Sequence, residues 1–139
     1  MASQNKIVNP AHLAPAGPFS HALTIPAGHN IILTAGQIGT VDKEGTIPDS
    51  YEDQVKAAIS NLRDVLAASG AQPRDIVKLT YFIADYDVNR RLVHINALQE
   101  FLAGHKPATS LVGVPRLANP KIKFEIEAVA AIPPTSAKI

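Results

Sequence analysis

The chain contains no cysteine and no tryptophan. Without a thiol there is no disulfide scaffold, no thiolate nucleophile, no iron–sulfur cluster and no cysteine-built zinc site. The lack of disulfides fits a reducing compartment. An excess of one charge is also missing, since 13 Lys and Arg stand against 12 Asp and Glu for a net charge of +1. With no dense basic cluster there is no electrostatic footprint for nucleic acid. No apolar run approaches the ~18–20 residues that span a bilayer. The opening MASQNKIVNP lacks the apolar stretch of a secretory signal and most of the arginine of a transit peptide. These absences lead to the expectation of a cytoplasmic protein that handles a small molecule or another protein, with neither nucleic acid nor membrane as partner.

What is present fits one domain over residues 1–139, with 1–6 and 133–139 expected as loose termini. Hydrophobic residues make up 46% and charged residues 18%, leaving few charges to cover the surface. An apolar face hidden against other copies of the chain would fit this composition. Pro10, Pro15 and Pro18 mark Asn9–Pro18 as an irregular arm. Ser20–Ile25 and Asn30–Ile38 flank a Pro26-Ala-Gly28 turn and read as an antiparallel hairpin. Thr40–Asp49 reads as a loop.

Ser50–Ser69 is the clearest helix, capped by Ser50 with Asp53 in the capping-box position. Val55, Ala58, Ile59, Leu62, Val65 and Leu66 share one face, and Gly70 is a natural left-handed stop. Asp75–Ala84 reads as a strand. Asp87 caps a second helix with apolar Val88, Leu92, Ile95, Leu98, Phe101 and Leu102, ended by Gly104. Ser110–Leu117 is a further strand. In Lys121–Val129, alternation puts Ile122, Phe124, Ile126 and Ala128 on one face and Lys121, Lys123, Glu125, Glu127 and Val129 on the other. The order ββ-α-β-α-ββ, with helices between strands twice, predicts an α+β fold. It has a single mixed sheet covered on one face by two helices and open on the other.

No single motif names a reaction. His12, His21, His29, His94 and His105 form no metal-ligand spacing and read as scattered surface or loop residues. Ser20 and His21 are adjacent, so a strand sends them to opposite faces, and there is no nucleophile elbow. Gly36-Gln-Ile-Gly39 lacks the Lys-Ser/Thr of a phosphate loop, but it places Gln37 at a sheet rim. Glu125 and Glu127 project from one face about 7 Å apart. That pair is either an acidic site of perturbed acidity or a solvated face with Lys121 and Lys123 as neighbours.

Taken in order, Asn9-Pro-Ala, Ala16-Gly-Pro-Phe-Ser-His21, Ala35-Gly-Gln-Ile-Gly39, Gln54 with Asn61 and Leu62, Asp75-Ile-Val-Lys-Leu-Thr80, Pro107-Ala-Thr-Ser110 and Glu125-Ile-Glu-Ala128 resemble the Rid family. This is the reactive intermediate deaminase family, also called YjgF or, in older naming, the L-PSP endoribonuclease family. The resemblance runs from about Lys6 to Ile132 and implies a chorismate-mutase-like fold in a homotrimer with a central β-barrel and clefts between subunits. It implies hydrolysis of enamines or imines to 2-keto acids and ammonia with no metal and no cofactor. By the same resemblance Glu125 and Asn96 are the catalytic candidates, and Phe19, Gln37, Thr109, Ser110 and Leu111 the substrate-binding ones. Three positions depart from the family pattern. Phe19 stands for a tyrosine, Thr109 for the arginine that holds the substrate carboxylate, and Leu111 for a cysteine, which resembles an arginine-less branch. Two readings follow: a deaminase-like hydrolase with an altered substrate, or a metabolite-binding or regulatory trimer without deaminase activity.

Overall fold

A computed structural model describes residues 3–134. The element order is β1 (Lys6–Val8), β2 (Ala22–Thr24), β3 (Asn30–Leu33), β4 (Gln37–Ile38), α1 (Tyr51–Ala68), β5 (Ile76–Ala84), α2 (Arg91–Leu102), β6 (Ala108–Val114) and β7 (Phe124–Ile132). The main sheet runs β3-β7-β5-β6, with β4 also paired to β7. Strands β5 and β6 are parallel, joined by the α2 crossover, while β7 is antiparallel to β3, β4 and β5. The C-terminal strand therefore fills the place between β3 and β5 that the α1 crossover leaves vacant. This is the α+β arrangement expected, with both helices on one face of a mixed sheet. No described helix is long and apolar enough to cross a membrane.

The helices form where pattern and caps agree. The Ser50 hydroxyl accepts from the Asp53 backbone N–H at 3.1 Å. Gly70 takes a left-handed φ of 83° just past the end of α1. Val55, Ala58, Ile59, Leu62 and Leu66 of α1 meet Leu79, Tyr81 and Ile83 of β5 and Phe124, Ile126 and Ala128 of β7 in one core. Burying aliphatic and aromatic side chains of this size contributes roughly 1.5–3 kcal/mol each.

Several expectations fail, each for a physical reason. The predicted hairpin of Ser20–Ile25 with Asn30–Ile38 does not form. Strand β2 pairs antiparallel with β1 in a separate two-stranded sheet, and β3 pairs with β7. A turn signal brings two strands near each other, but a long C-terminal strand offers β3 a better-buried partner. Lys6, expected in a loose terminus, begins β1, and the Asn5 side chain donates to the Ala131 carbonyl at 3.1 Å. The expected loose C-terminal end falls largely at 135–139, outside the described residues. Asp87 caps a 3₁₀ turn, Val88–Arg90, rather than α2 itself. Val88 and Leu92 are exposed, and the core positions of α2 fall to His94, Leu98, Phe101 and Leu102. His94, read as a surface or loop residue, is fully buried at 0% exposure.

Candidate functional site

Alternation along β7 decides which side chains meet the helices and which do not. Phe124, Ile126, Ala128 and Ala130 are buried under α1 and α2. Glu125 and Glu127 point to the uncovered face. Glu125 lies opposite Ile38 on one side and Phe82 on the other, and Glu127 opposite Thr80. The same face carries Lys78 on β5, Ser110 on β6 and Leu33 on β3. Leu33 is 74% exposed and Ile31 is also exposed, so this face is partly apolar as well as uncovered.

Glu125 has a specific seat. A Cβ added at Gly36 would fall onto its Oε1 and lie 2.8 Å from Cδ and 3.0 Å from Cγ. The carboxylate therefore lies directly over the Gly36 backbone, in space that no other residue would leave open. The strand ends around it are pinned from α1. The buried Gln54 carboxamide donates to the carbonyls of Pro48 and Lys121, each at 2.9 Å, and accepts from the Lys123 N–H at 2.9 Å. This fixes the chain two residues before Glu125. The Asn61 carboxamide donates to the carbonyls of Ile38 and Thr40 and to the Thr40 hydroxyl. A Cβ at Gly39 would lie 2.8 Å from the Gln54 Cα, so β4 and α1 approach backbone to backbone.

The other candidate residues, Ser110 apart, fall in three other places. Thr109 and Leu111 lie opposite Leu79 and Tyr81, both buried beneath the helices, so they project to the helix side at the β6 edge. Phe19 joins them there, because Ser20 bridges Ala108 and its N–H donates to the Pro107 carbonyl. The Thr109 hydroxyl donates to that same carbonyl at 3.1 Å. Gln37 lies opposite Ile126 and donates to the Ala35 carbonyl at 3.2 Å, on the helix side of the far sheet edge. Ser110 alone shares the face of Glu125. Asn96, the proposed catalytic partner of Glu125, is not brought to it. At 100° per residue it lies about 200° round α2 from His94 and Leu98. It lines an outer groove between the helices with Glu52, Lys56 and Arg63, and the sheet stands between it and Glu125.

Sequence reasoning also missed a buried polar cluster under the helices. His94 Nδ1 lies 3.0 Å from the Tyr51 hydroxyl, and its ring packs among Tyr51, Tyr81 and Tyr86. Its Nε2 has no hydrogen-bond partner among the described residues. Burial, aided by the Arg91 guanidinium, lowers its pKa to about 4. Burial likewise pushes the Tyr81 phenol up to about 12 and raises that of Tyr51. The available signal was that His94 precedes Leu98, Phe101 and Leu102 by four, seven and eight residues, which puts it on the apolar face.

A mixed sheet with two helices on one face, and a seated carboxylate on the other, defines an α+β domain with a candidate site on the uncovered side of its sheet. The chain matches the family described as Endoribonuclease L-PSP over residues 9–132. It is 36% identical over 123 residues to the 2-iminobutanoate/2-iminopropanoate deaminase of Escherichia coli strain K12, covering 84% of this chain and 91% of that one. It is 31% identical over 133 residues to the protein of the same name from Dermatophagoides farinae, covering 95% and 99%. A crystal structure of YyfB from Yersinia pestis, a Rid-family protein of unknown function, superposes with a TM-score of 0.85 at 29% identity, covering 92% of this chain and 98% of that one. The chain belongs to the Rid (YjgF) family.

Proposed function

We propose that this protein hydrolyses an imine, or the enamine in equilibrium with it, to a carbonyl compound and ammonia, using water alone. The observation that carries this reading is the Glu125 carboxylate seated over Gly36 on the uncovered sheet face. Curated relatives named as imine deaminases support the same chemistry. In the proposed step Glu125 accepts a proton from a water held against the imine carbon. The water oxygen bonds to that carbon and the C=N π pair moves to nitrogen, which takes up a proton. The resulting carbinolamine then expels ammonia as the carbonyl forms. The protein contributes orientation and a base at fixed distance, and the reaction needs no redox partner.

The proposed working form is a homotrimer whose open faces turn inward as a β-barrel, with a cleft between subunits. Two features support it. Ile31, Leu33 and Val112 leave apolar surface on or beside the open face. Thr109 and Leu111 lie two strands from Glu125, roughly 10 Å at ordinary strand spacing, and project from the opposite face. One chain cannot bring them onto one ligand, whereas the β6 edge of one copy beside the Glu125 of another can. Phe19, Thr109 and Leu111 then offer an aromatic ring, a hydroxyl already engaged by Pro107 and an aliphatic side chain in place of an anion clamp. The reading places the protein in the cytoplasm. With a net charge of +1, it gives the protein no nucleic-acid partner, whatever the older family name suggests.

The test is ammonia release from imines generated in situ by an amino-acid oxidase. The chain should accelerate release, Glu125→Gln should lower the rate at least a hundredfold, and light scattering should give three times the chain mass for both. Undiminished turnover in Glu125→Gln refutes the site. Thr109 supports a second reading, ligand binding without turnover, and ligand bound with no acceleration for any imine would favour it.

A further inference from the structure

The open face carries two charges that the proposed chemistry does not use. Lys78 Nζ donates to the Ser110 hydroxyl at 2.7 Å. Glu127 lies two pairs along the β5–β7 ladder, opposite Thr80. Neither takes part in any ion pair among the described residues, although the three surface pairs that do form lie elsewhere. Both line one depression of about 290 Å³, together with Leu33, Thr34, Thr80 and Val129. The Thr34 hydroxyl oxygen accepts from the Ala128 N–H, which leaves its own O–H to donate into the depression.

Lys78 leans toward β6 to reach Ser110, while Glu127 stands on β7, so cation and anion flank the depression instead of closing on each other. The site thus offers an ammonium with donors to spare, a carboxylate, two hydroxyls and two aliphatic walls. A lone anion meets the field of Glu127 and a lone cation meets that of Lys78. A small molecule carrying both charges about 3 Å apart satisfies each. The proposed assembly strengthens the case, because a face turned into a barrel lumen cannot leave these charges desolvated and unpaired without a desolvation penalty.

We propose that this depression is a second ligand site, distinct from the Glu125 seat, that binds a small zwitterion of the α-amino-acid class, its carboxylate on Lys78 and its ammonium on Glu127. The site is complete within one chain. Only the enclosure of the face rests on the assembly proposed above.

Calorimetric titration of the intact protein with glycine, acetate and methylammonium tests it. Glycine should bind at least tenfold more tightly than acetate or methylammonium. Lys78→Gln and Glu127→Gln should each weaken glycine binding tenfold or more, and Lys78→Arg should retain it. Glu125→Gln should bind glycine like the wild type, whatever it does to turnover. Absent glycine binding, equal binding of acetate, or full binding by both charge-neutral variants would overturn the proposal. So would loss of glycine binding in Glu125→Gln, which would place the ligand at the Glu125 seat. Unchanged turnover in Glu125→Gln with glycine bound through Lys78 would instead sink the hydrolase reading and leave this site standing.

Discussion

Acid should destabilise this protein through His94. In the folded chain its ring is fully buried against three tyrosines, its Nδ1 is engaged by Tyr51, and its Nε2 has no partner. Cations stand close by: Arg90 stacks on Tyr51, and Arg91 acts on the ring itself. Among the described residues no carboxylate acts on the ring to compensate an imidazolium. Its pKa falls from 6.5 to about 4. The unfolded chain therefore binds the proton first, and stability present above pH 6.5 is lost as the pH falls toward 4. At pH 5 about 97% of unfolded molecules carry the proton, against about 9% of folded ones. The difference is worth about 2 kcal/mol between pH 7 and pH 5. For a chain of this length that corresponds to a melting shift of roughly 6 °C. The assay is thermal or urea unfolding from pH 7.5 to 4.5 for wild type and His94→Phe. The variant loses the Tyr51 hydrogen bond, which lowers its stability by about 1 kcal/mol at every pH, but it should lose most of the acid slope between pH 6.5 and 5. Equal slopes in the two proteins would refute the reasoning, because the proton would then be taken up elsewhere.

Gly36→Ala should leave the fold intact, since Gly36 has no left-handed φ. It should displace the Glu125 carboxylate by about 1 Å and cut imine turnover by about a hundredfold. Wild-type turnover in the variant would show that the carboxylate does not need this seat. Gln54→Ala removes three hydrogen bonds that pin Pro48, Lys121 and Lys123, and it leaves a cavity with unpaired backbone groups. A loss of about 2–4 kcal/mol in chemical denaturation is expected, whereas a loss under 1 kcal/mol would mean that water replaces the carboxamide.

Local pattern was enough for the elements in which one periodicity dominates. The stripe of Val55, Ala58, Ile59, Leu62 and Leu66 and the alternation of Phe124–Val129 each admit one folded arrangement, and the Ser50 cap and Gly70 stop act within a turn of their own residues; Lys121 and Lys123, expected in the same strand, lie before it and pair with Asp49 and Asp85. The Glu125 and Glu127 faces were legible for the same reason, because a period of two cannot be satisfied with the carboxylates and Phe124 on the same side. The short strands were not legible. Three or four extended residues carry no preference between partners, so β2 and β3 took theirs from β1 and β7. Asn96 was carried over from a family position, which says nothing of angle around the helix axis, and within one chain that angle turns it away from the sheet.

By itself, then, the sequence determined the α+β class, the two helices and which residues of β7 face away from them, since those follow from spacing along one segment. Tertiary structure alone decided that Gly36 seats Glu125, that Gln54 pins the start of β7, that His94 is buried without a second partner, and that Lys78 and Glu127 flank one depression unpaired. Each of these depends on residues far apart in the chain meeting across a sheet register or a helix–sheet interface, and no local pattern encodes that meeting.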